Sequence, residues 1–312
     1  FELGHRSGVV CNSDGHKGRL GAEYPGASKF GCFGGYTCHL MPELSRDALF
    51  ESFRRRNHYA TTGTRLFLQA GVELPSSGLI HRRNPDLGPT ETWQAERALM
   101  GDIVKVTDEE VNFALDVAAA APIERIELRD GLDCVEIMRP YTKRDLGARI
   151  RVVWEGAEYR GRGRMVAWDG HLTLHGNSIR QAKAINFWNA DNRLESRGDT
   201  GLAWKAVSTG SFGGADIWLA DAKSGRIEID TKQGRFELLI EDIGLEDTVF
   251  DCGGLGKRLR VYRLPERLTA RTMRWSRKLA VRGAGEGDTR PYVCLTQEDG
   301  HQAWSSPVYL FR

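Results

Sequence analysis

Apolar and polar residues alternate along much of this chain with a period of two. Val111, Phe113, Leu115 and Val117 are separated by Asn112, Ala114 and Asp116, the pattern of a strand with one face buried. Residues 123–128, 148–154, 226–229, 236–240 and 259–262 read as further strands, and Asp130-Gly131, Asp169-Gly170 and Asp299-Gly300 supply turns between such runs. One stretch has helical spacing instead. Ser45 is a good N-cap, Leu49, Phe50 and Phe53 form an apolar stripe, and Arg54-Arg55-Arg56 places cations in the last turn, where the helix dipole favours them. Ahead of that helix, the short apolar run Gly8–Cys11 feeds a polar turn and then a glycine-rich loop over residues 21–35. After it, residues 59–68 read as turn and strand. Strand, loop, helix, strand is the order found at the end of an α/β layer or barrel. Pro75-Ser76-Ser77-Gly78, Asn84-Pro85 and Gly88-Pro89 predict a connection with little regular structure over residues 71–100. From Gly101 onward the pattern predicts a mostly antiparallel β-sandwich. The expected class is α+β overall, with units at 1–70, 71–100 (a linker) and 101–312.

Composition adjusts this picture in a few places. With 312 residues the chain can bury a substantial core, and 40% hydrophobic with 28% charged residues excludes wholesale disorder. The net charge of +2 argues against nucleic acid or an anionic membrane as the main partner. No apolar run approaches the ~18 residues of a membrane-spanning helix. The six cysteines contain no CxxC pair and read as reduced, mostly buried thiols. Phe1-Glu2-Leu3-Gly4-His5 resembles neither a leader nor a capped first element, so an N-terminal part is expected to precede it.

The strongest local chemistry is Asn12-Ser13-Asp14-Gly15-His16, an Asp and a His two residues apart just past an apolar strand. Carboxylate oxygen and imidazole nitrogen together suit Zn²⁺, Mn²⁺ or Fe²⁺. A bound divalent ion lowers the pKa of its water and supplies a hydroxide nucleophile. Lys17 and Arg19 follow directly, placed to bind a phosphate or carboxylate beside such a centre. Spacing alone also allows a solvated turn here, and a solvated basic loop at Lys17 and Arg19.

The whole stretch from Gly8 to Arg19 resembles the last metal-binding segment of PHP (polymerase and histidinol phosphatase) domain proteins. It is most similar to a PHP-like bacterial family of uncharacterised function, related to a branch of carbamate- and amide-cleaving metallohydrolases. Tyr24-Pro25-Gly26-Ala27-Ser28-Lys29-Phe30-Gly31, Arg56-Asn57-His58-Tyr59-Ala60-Thr61-Thr62-Gly63 and the ending from Gln297 to Pro307 carry the same resemblance. It implies the C-terminal strands and helix of a (β/α)7 barrel in residues 1–70, with up to three divalent ions at the barrel's strand ends. Asp14 and His16 would be ligands, and the opening His-x-His and bridging Glu would lie before Phe1 in a further segment of the same protein. The implied activity is hydrolysis of a small phosphoester, with an amide or carbamate as the alternative substrate. A non-catalytic β-sandwich module, glycan-binding or interdomain, is the third reading.

Other candidates are weaker. His39 and His58 share the half that holds the motif but read as structural, and Arg54–Arg56 as a solvated helix end. His171 and His175 on one strand would stand about 13 Å apart, too far to share an ion. The eight tryptophans read as core before sugar platform. Gly210-Ser211-Phe212-Gly213-Gly214 lacks the strand-to-helix setting of a phosphate loop, and there is no GxSxG.

Overall fold

The computed structural model describes residues 3–13, 33–188 and 192–312. It is mostly β-sheet: among the described residues 51% lie in strands and 7% are helical, with a single α-helix. This overturns the α+β expectation and the barrel end placed in residues 1–70: no (β/α)7 barrel is present among the described residues. The physical reason lies in strand direction. Tyr36–His39, the helix Arg46–Arg55 and His58–Thr61 do follow one another as strand, helix, strand, but the two strands pair antiparallel. A barrel's βαβ unit needs them parallel. His58–Thr61 then pairs with Gln302–Ser305 from the far end of the chain, so these residues belong to a sheet completed by the C-terminus.

The chain divides into two compact units, Phe1–Pro140 with Thr269–Arg312, and Tyr141–Leu268 between them. The first is a sandwich of two sheets. One runs in the order Tyr36–His39, His58–Thr61, Gln302–Ser305, Pro291–Gln297, Ile123–Asp130, Asp133–Met138, antiparallel throughout. The other runs Thr272–Ala280, Glu110–Ala118, Phe67–His81, Ile103–Lys105, Tyr309–Phe311, with Thr92–Leu99 also paired to Phe67–His81. Its last pair, Tyr309–Phe311 with Ile103–Lys105, is parallel. Leu68, Val72, Phe113 and Val117 of the second sheet meet Ile126, Leu128, Val293 and Leu295 of the first in one core. The alternation around Val111 is realised in Glu110–Ala118, whose odd-numbered residues Val111 to Val117 are buried. Residues 71–100, expected to carry little regular structure, are mainly strand. Pro75-Ser76-Ser77-Gly78 marks a bulge inside the 15-residue strand Phe67–His81, where the register shifts between Glu73 and Gly78, rather than a loop.

The helix starts and ends as its sequence reads, but its end is not solvated throughout: Arg55 and Arg56 are half-buried and Arg56 Nε donates to the Gly101 carbonyl at 2.8 Å. Ser45 Oγ accepts from the Ala48 amide, and Arg56 closes the far end in the left-handed region at φ 62°. Arg55 then pairs with the buried carboxylate of Asp102 at 2.9 Å, which also accepts from Asn57 Nδ2 at 3.2 Å and from the Leu99 amide at 2.9 Å. This clamp joins the helix end to the second sheet. Among the described residues no helix is long and apolar enough to cross a membrane.

The second unit stacks two five-stranded sheets, centred on Arg149–Ala157 and on Gly170–His175. Its core holds Trp154, Trp168 and Trp204. Trp154 stacks on Trp204 with ring centroids 4.9 Å apart and an interplanar angle of 7°. The indole N–H of Trp204 donates to the Trp168 carbonyl at 2.7 Å, and that of Trp168 to Ser208 Oγ at 2.9 Å. Trp168 and Trp204 thus have their polar edges satisfied, while Trp154 Nε1 is buried without a partner; all three rings are buried packing elements, which removes them as a sugar platform.

Candidate functional site

Asp14, His16, Lys17 and Arg19 lie outside the described residues. The structure does describe the segment that leads into them. Residues 3–13 run extended along the first unit and are tied down by side chains from three distant parts of the chain. The Ser7 amide donates to Tyr309 Oη at 2.9 Å, and that hydroxyl donates back to the Ser7 carbonyl at 2.7 Å. Burial pushes the Tyr309 phenol up, so it stays a neutral donor. The Val9 amide donates to Ser306 Oγ at 3.1 Å, and His58 Nδ1 donates to the Val9 carbonyl at 2.9 Å. The Cys11 amide donates to Thr37 Oγ1 at 3.1 Å. Two glycines make this approach possible: a Cβ on Gly8 would come 2.6 Å from the His58 ring, and one on Gly35 would strike the Cys11 sulfur.

Beneath the segment sits a pair of imidazoles. His39 and His58 face each other across the pairing of Tyr36–His39 with His58–Thr61, their ring centroids 5.3 Å apart. Phe53 from the helix packs on both, 4.2 Å from His39 and 5.8 Å from His58. The Ser52 hydroxyl donates to the Asn57 carbonyl at 2.9 Å. It therefore meets His39 Nδ1, 3.1 Å away, as an acceptor, and that nitrogen carries the proton. His58 Nδ1 faces a carbonyl and is protonated for the same reason. In the neutral form of each ring the proton therefore sits on Nδ1. Burial lowers the pKa of each; for His58 the hydrogen bond to Val9 opposes this, while His39 and Arg56 add to it.

Histidines whose folded pKa falls below the unfolded value make stability depend on acid. Between the two values the unfolded chain binds more protons, so the contribution is complete above about pH 6.5 and is lost as pH falls below it. We expect the thermal midpoint to drop on acidification from neutral pH to about 5. His58→Asn, which keeps an N–H for the Val9 carbonyl, should make that drop shallower. An unchanged slope in the variant would place the acid sensitivity elsewhere.

No family model, no curated protein and no solved structure matches this chain. What the site can do follows from its own groups. Among the described residues no three His, Cys, Asp or Glu side chains come together in a way that could hold a metal ion. The His39–His58 pair does not substitute for one: both Nδ1 atoms are committed to hydrogen bonds, and the Gly8 backbone covers His58 Nε2, 2.9 Å from where a Cβ would stand. The described residues therefore do not by themselves fit a metal, and no reaction step is routed through one. The pair instead shapes and supports the ground under Gly8–Ser13. His171 and His175 take no part; His175 Nε2 lies 3.6 Å from Glu228 in the second unit. The resemblance covers Ser306 but not Tyr309, and no local signal ties either to Val9 or Ser7, because a serine or a tyrosine near the end of the chain carries no local sign of a partner some 300 residues away.

Proposed function

We propose that this chain carries the Asp14–His16 part of a PHP-like metal-dependent hydrolase acting on a small phosphoester, with amide or carbamate cleavage as the related alternative. One observation supports the reading above all others. Residues 8–11, 56–63 and 297–307, which share the resemblance to that family, meet in one place through Val9, His58 and Ser306. Thr62 and His301 extend the junction, 3.1 Å apart. Sequence fragments alike by chance have no reason to assemble around the segment that enters the motif. The reading concerns this site and calls on no barrel among the described residues. Asp14 and His16 are assigned to Zn²⁺, Mn²⁺ or Fe²⁺, with Lys17 and Arg19 as the anion-binding groups. Two donors fall short of the three protein ligands that catalytic sites use, so other groups must complete the set.

The test measures bound transition metals in the protein and in the Asp14→Ala/His16→Ala variant, with p-nitrophenyl phosphate and an aryl carbamate as substrates. The expected result is bound metal, hydrolysis of one substrate class, and a loss of about 100-fold or more in the variant; even supporting groups around a metal cost 10- to 100-fold. A protein that binds no transition metal, or a variant that hydrolyses as well as its parent, overturns the reading.

A further inference from the structure

The second sheet of the first unit carries a trough on its outer face that the proposed hydrolase site does not use. It follows from the strand register. Leu99 stands opposite Gly71, Gly71 opposite Ala114, and Ala114 opposite Ser276. Directly opposed residues share a face, so these four form one row running across the strands, three small side chains with Leu99 at its end. Two residues away on one side, Arg97, Glu73, Asn112 and Lys278 make a second row; on the other side Gln69, Asp116 and Arg274 make a third. Long polar side chains thus wall a shallow floor on both sides, with the walls about 13 Å apart at two residues to either side. The hollow encloses about 650 Å³, within the range of small-ligand sites. Gly71 is required where it stands, because a Cβ there would run into the Ala98 carbonyl of the neighbouring strand.

The walls define the occupant. Arg97 pairs with Glu73 at 3.1 Å and Arg274 with Asp116 at 3.0 Å, so the two cations and two anions that line the hollow balance, and Lys278 at the end of the second row has its own anion in Glu110 at 3.8 Å. Asn112 Nδ2 donates to Glu73 at 3.3 Å. A balanced wall offers no field to attract a phosphate or a polyanion, but it is dense in donors and acceptors for an uncharged polar group. An extended peptide gains its affinity by pairing its backbone along a strand edge. This trough instead crosses strands whose backbone groups are already spent on one another. A chain bearing hydroxyls along both flanks fits it. We infer that the trough binds a neutral oligosaccharide lying across the strands Thr92–Leu99, Phe67–His81, Glu110–Ala118 and Thr272–Ala280. The site is independent of any metal and of Asp14 and His16.

Titration calorimetry of the whole chain tests this, with cellohexaose, xylohexaose, mannohexaose and maltohexaose as neutral probes and hexagalacturonic acid as the anionic one. Saturable binding of at least one neutral probe, little changed by added salt, is expected. Ser276→Tyr, at an exposed position of an outer strand, fills the floor and should weaken that binding at least about tenfold. Gln69→Ala/Arg274→Ala removes part of one wall without filling anything and should weaken it too. Thermal midpoints close to that of the parent show that both variants fold. Failure of every neutral probe, binding of the anionic probe alone, or binding indifferent to both variants overturns the inference. None of these outcomes bears on metal content or hydrolysis.

Discussion

Replacing Asp216 by Ala is expected to be the most damaging single substitution in the second unit, at a cost on the order of 3–5 kcal/mol. Asp216 lies in Phe212–Leu219 directly opposite Arg151, with Arg149 two residues along the same face. Arg151 Nε and Nη2 donate to its two oxygens at 2.6 and 2.8 Å, and Arg149 donates to one of them as well. All three side chains are 1% exposed or less. The Arg149 guanidinium also lies 4.6 Å over the Trp218 ring. Burial alone would push the Asp216 carboxyl up, but the charges and hydrogen bonds of Arg151 and Arg149 hold it below the usual carboxylate range. The cluster's contribution is therefore complete at neutral pH and is lost only as pH falls through that lowered pKa, below 3.8. Alanine leaves two buried guanidinium groups without their carboxylate, against a total stability of about 5–15 kcal/mol for a domain. Urea unfolding followed by tryptophan fluorescence reads the loss. Replacing all three charges together, as Arg149→Met/Arg151→Met/Asp216→Leu, should recover most of it, because no buried charge is then left over. A cost below about 1 kcal/mol for Asp216→Ala would show that water or other groups take over the role of the carboxylate.

That cluster also marks where reading the chain in one dimension stops. The strand character of residues 148–154 is plain from the sequence, since β-branched residues and Trp154 fit a pleated surface. That Arg149 and Arg151 are buried on it is not, because alternation normally puts charges outside. The rule fails here because that second face is itself packed: Val153, Tyr262 and Leu264 on it join Tyr141 and Leu268 in a small core of their own. The helix was legible to within a residue from Ser45 and its apolar stripe, both local signals. The barrel end was misread because strand order and helix position are local, whereas strand direction and partner are not. Tyr36–His39 folds back antiparallel on His58–Thr61, and His58–Thr61 takes its other partner, Gln302–Ser305, from some 240 residues away. Likewise Pro75-Ser76-Ser77-Gly78 carries the same composition whether it ends a strand or bulges one. At the site, His39 and His58 were legible as structural, and their hydrogen bonds account for them. The trough on the second sheet was invisible, since Gly71, Ala114 and Ser276 acquire meaning only through register.

Arg6→Ala should release the segment that leads into Asp14 and His16, and its effect should reach both stability and the protection of that segment. The Arg6 side chain is 8% exposed. Its guanidinium forks onto Asp288 at 2.7 and 2.9 Å, donates to Asn84 Oδ1 at 2.7 Å and Asp86 at 3.1 Å, and lies 4.7 Å from the centre of the Phe311 ring. The hydrogen bond to Asp288 is the largest influence in raising its already high pKa, so the charge is fixed at any working pH. One side chain thus joins residue 6 to the loop at 84–86, to Asp288 and to the last strand. Removing it leaves Asp288, 14% exposed, without its main partner. Because Asp86 is 66% exposed and its share is screened by solvent, we place the cost at about 2–3 kcal/mol, below that of a fully buried pair. Arg6→Lys should recover only part of this, since an ammonium cannot form the fork or stack on the ring in the same way. The bonds of Ser7 and Val9 to Tyr309 and Ser306 lie one to three residues further on and should loosen with it. Limited proteolysis should then cut within residues 3–13 of the alanine variant under conditions that spare the parent. If Asp14 and His16 hold a metal as proposed, metal content should fall in the same variant while the trough's oligosaccharide binding stays intact. Protection and stability both within about 0.5 kcal/mol of the parent would mean that Tyr309, Ser306 and His58 hold the segment without Arg6.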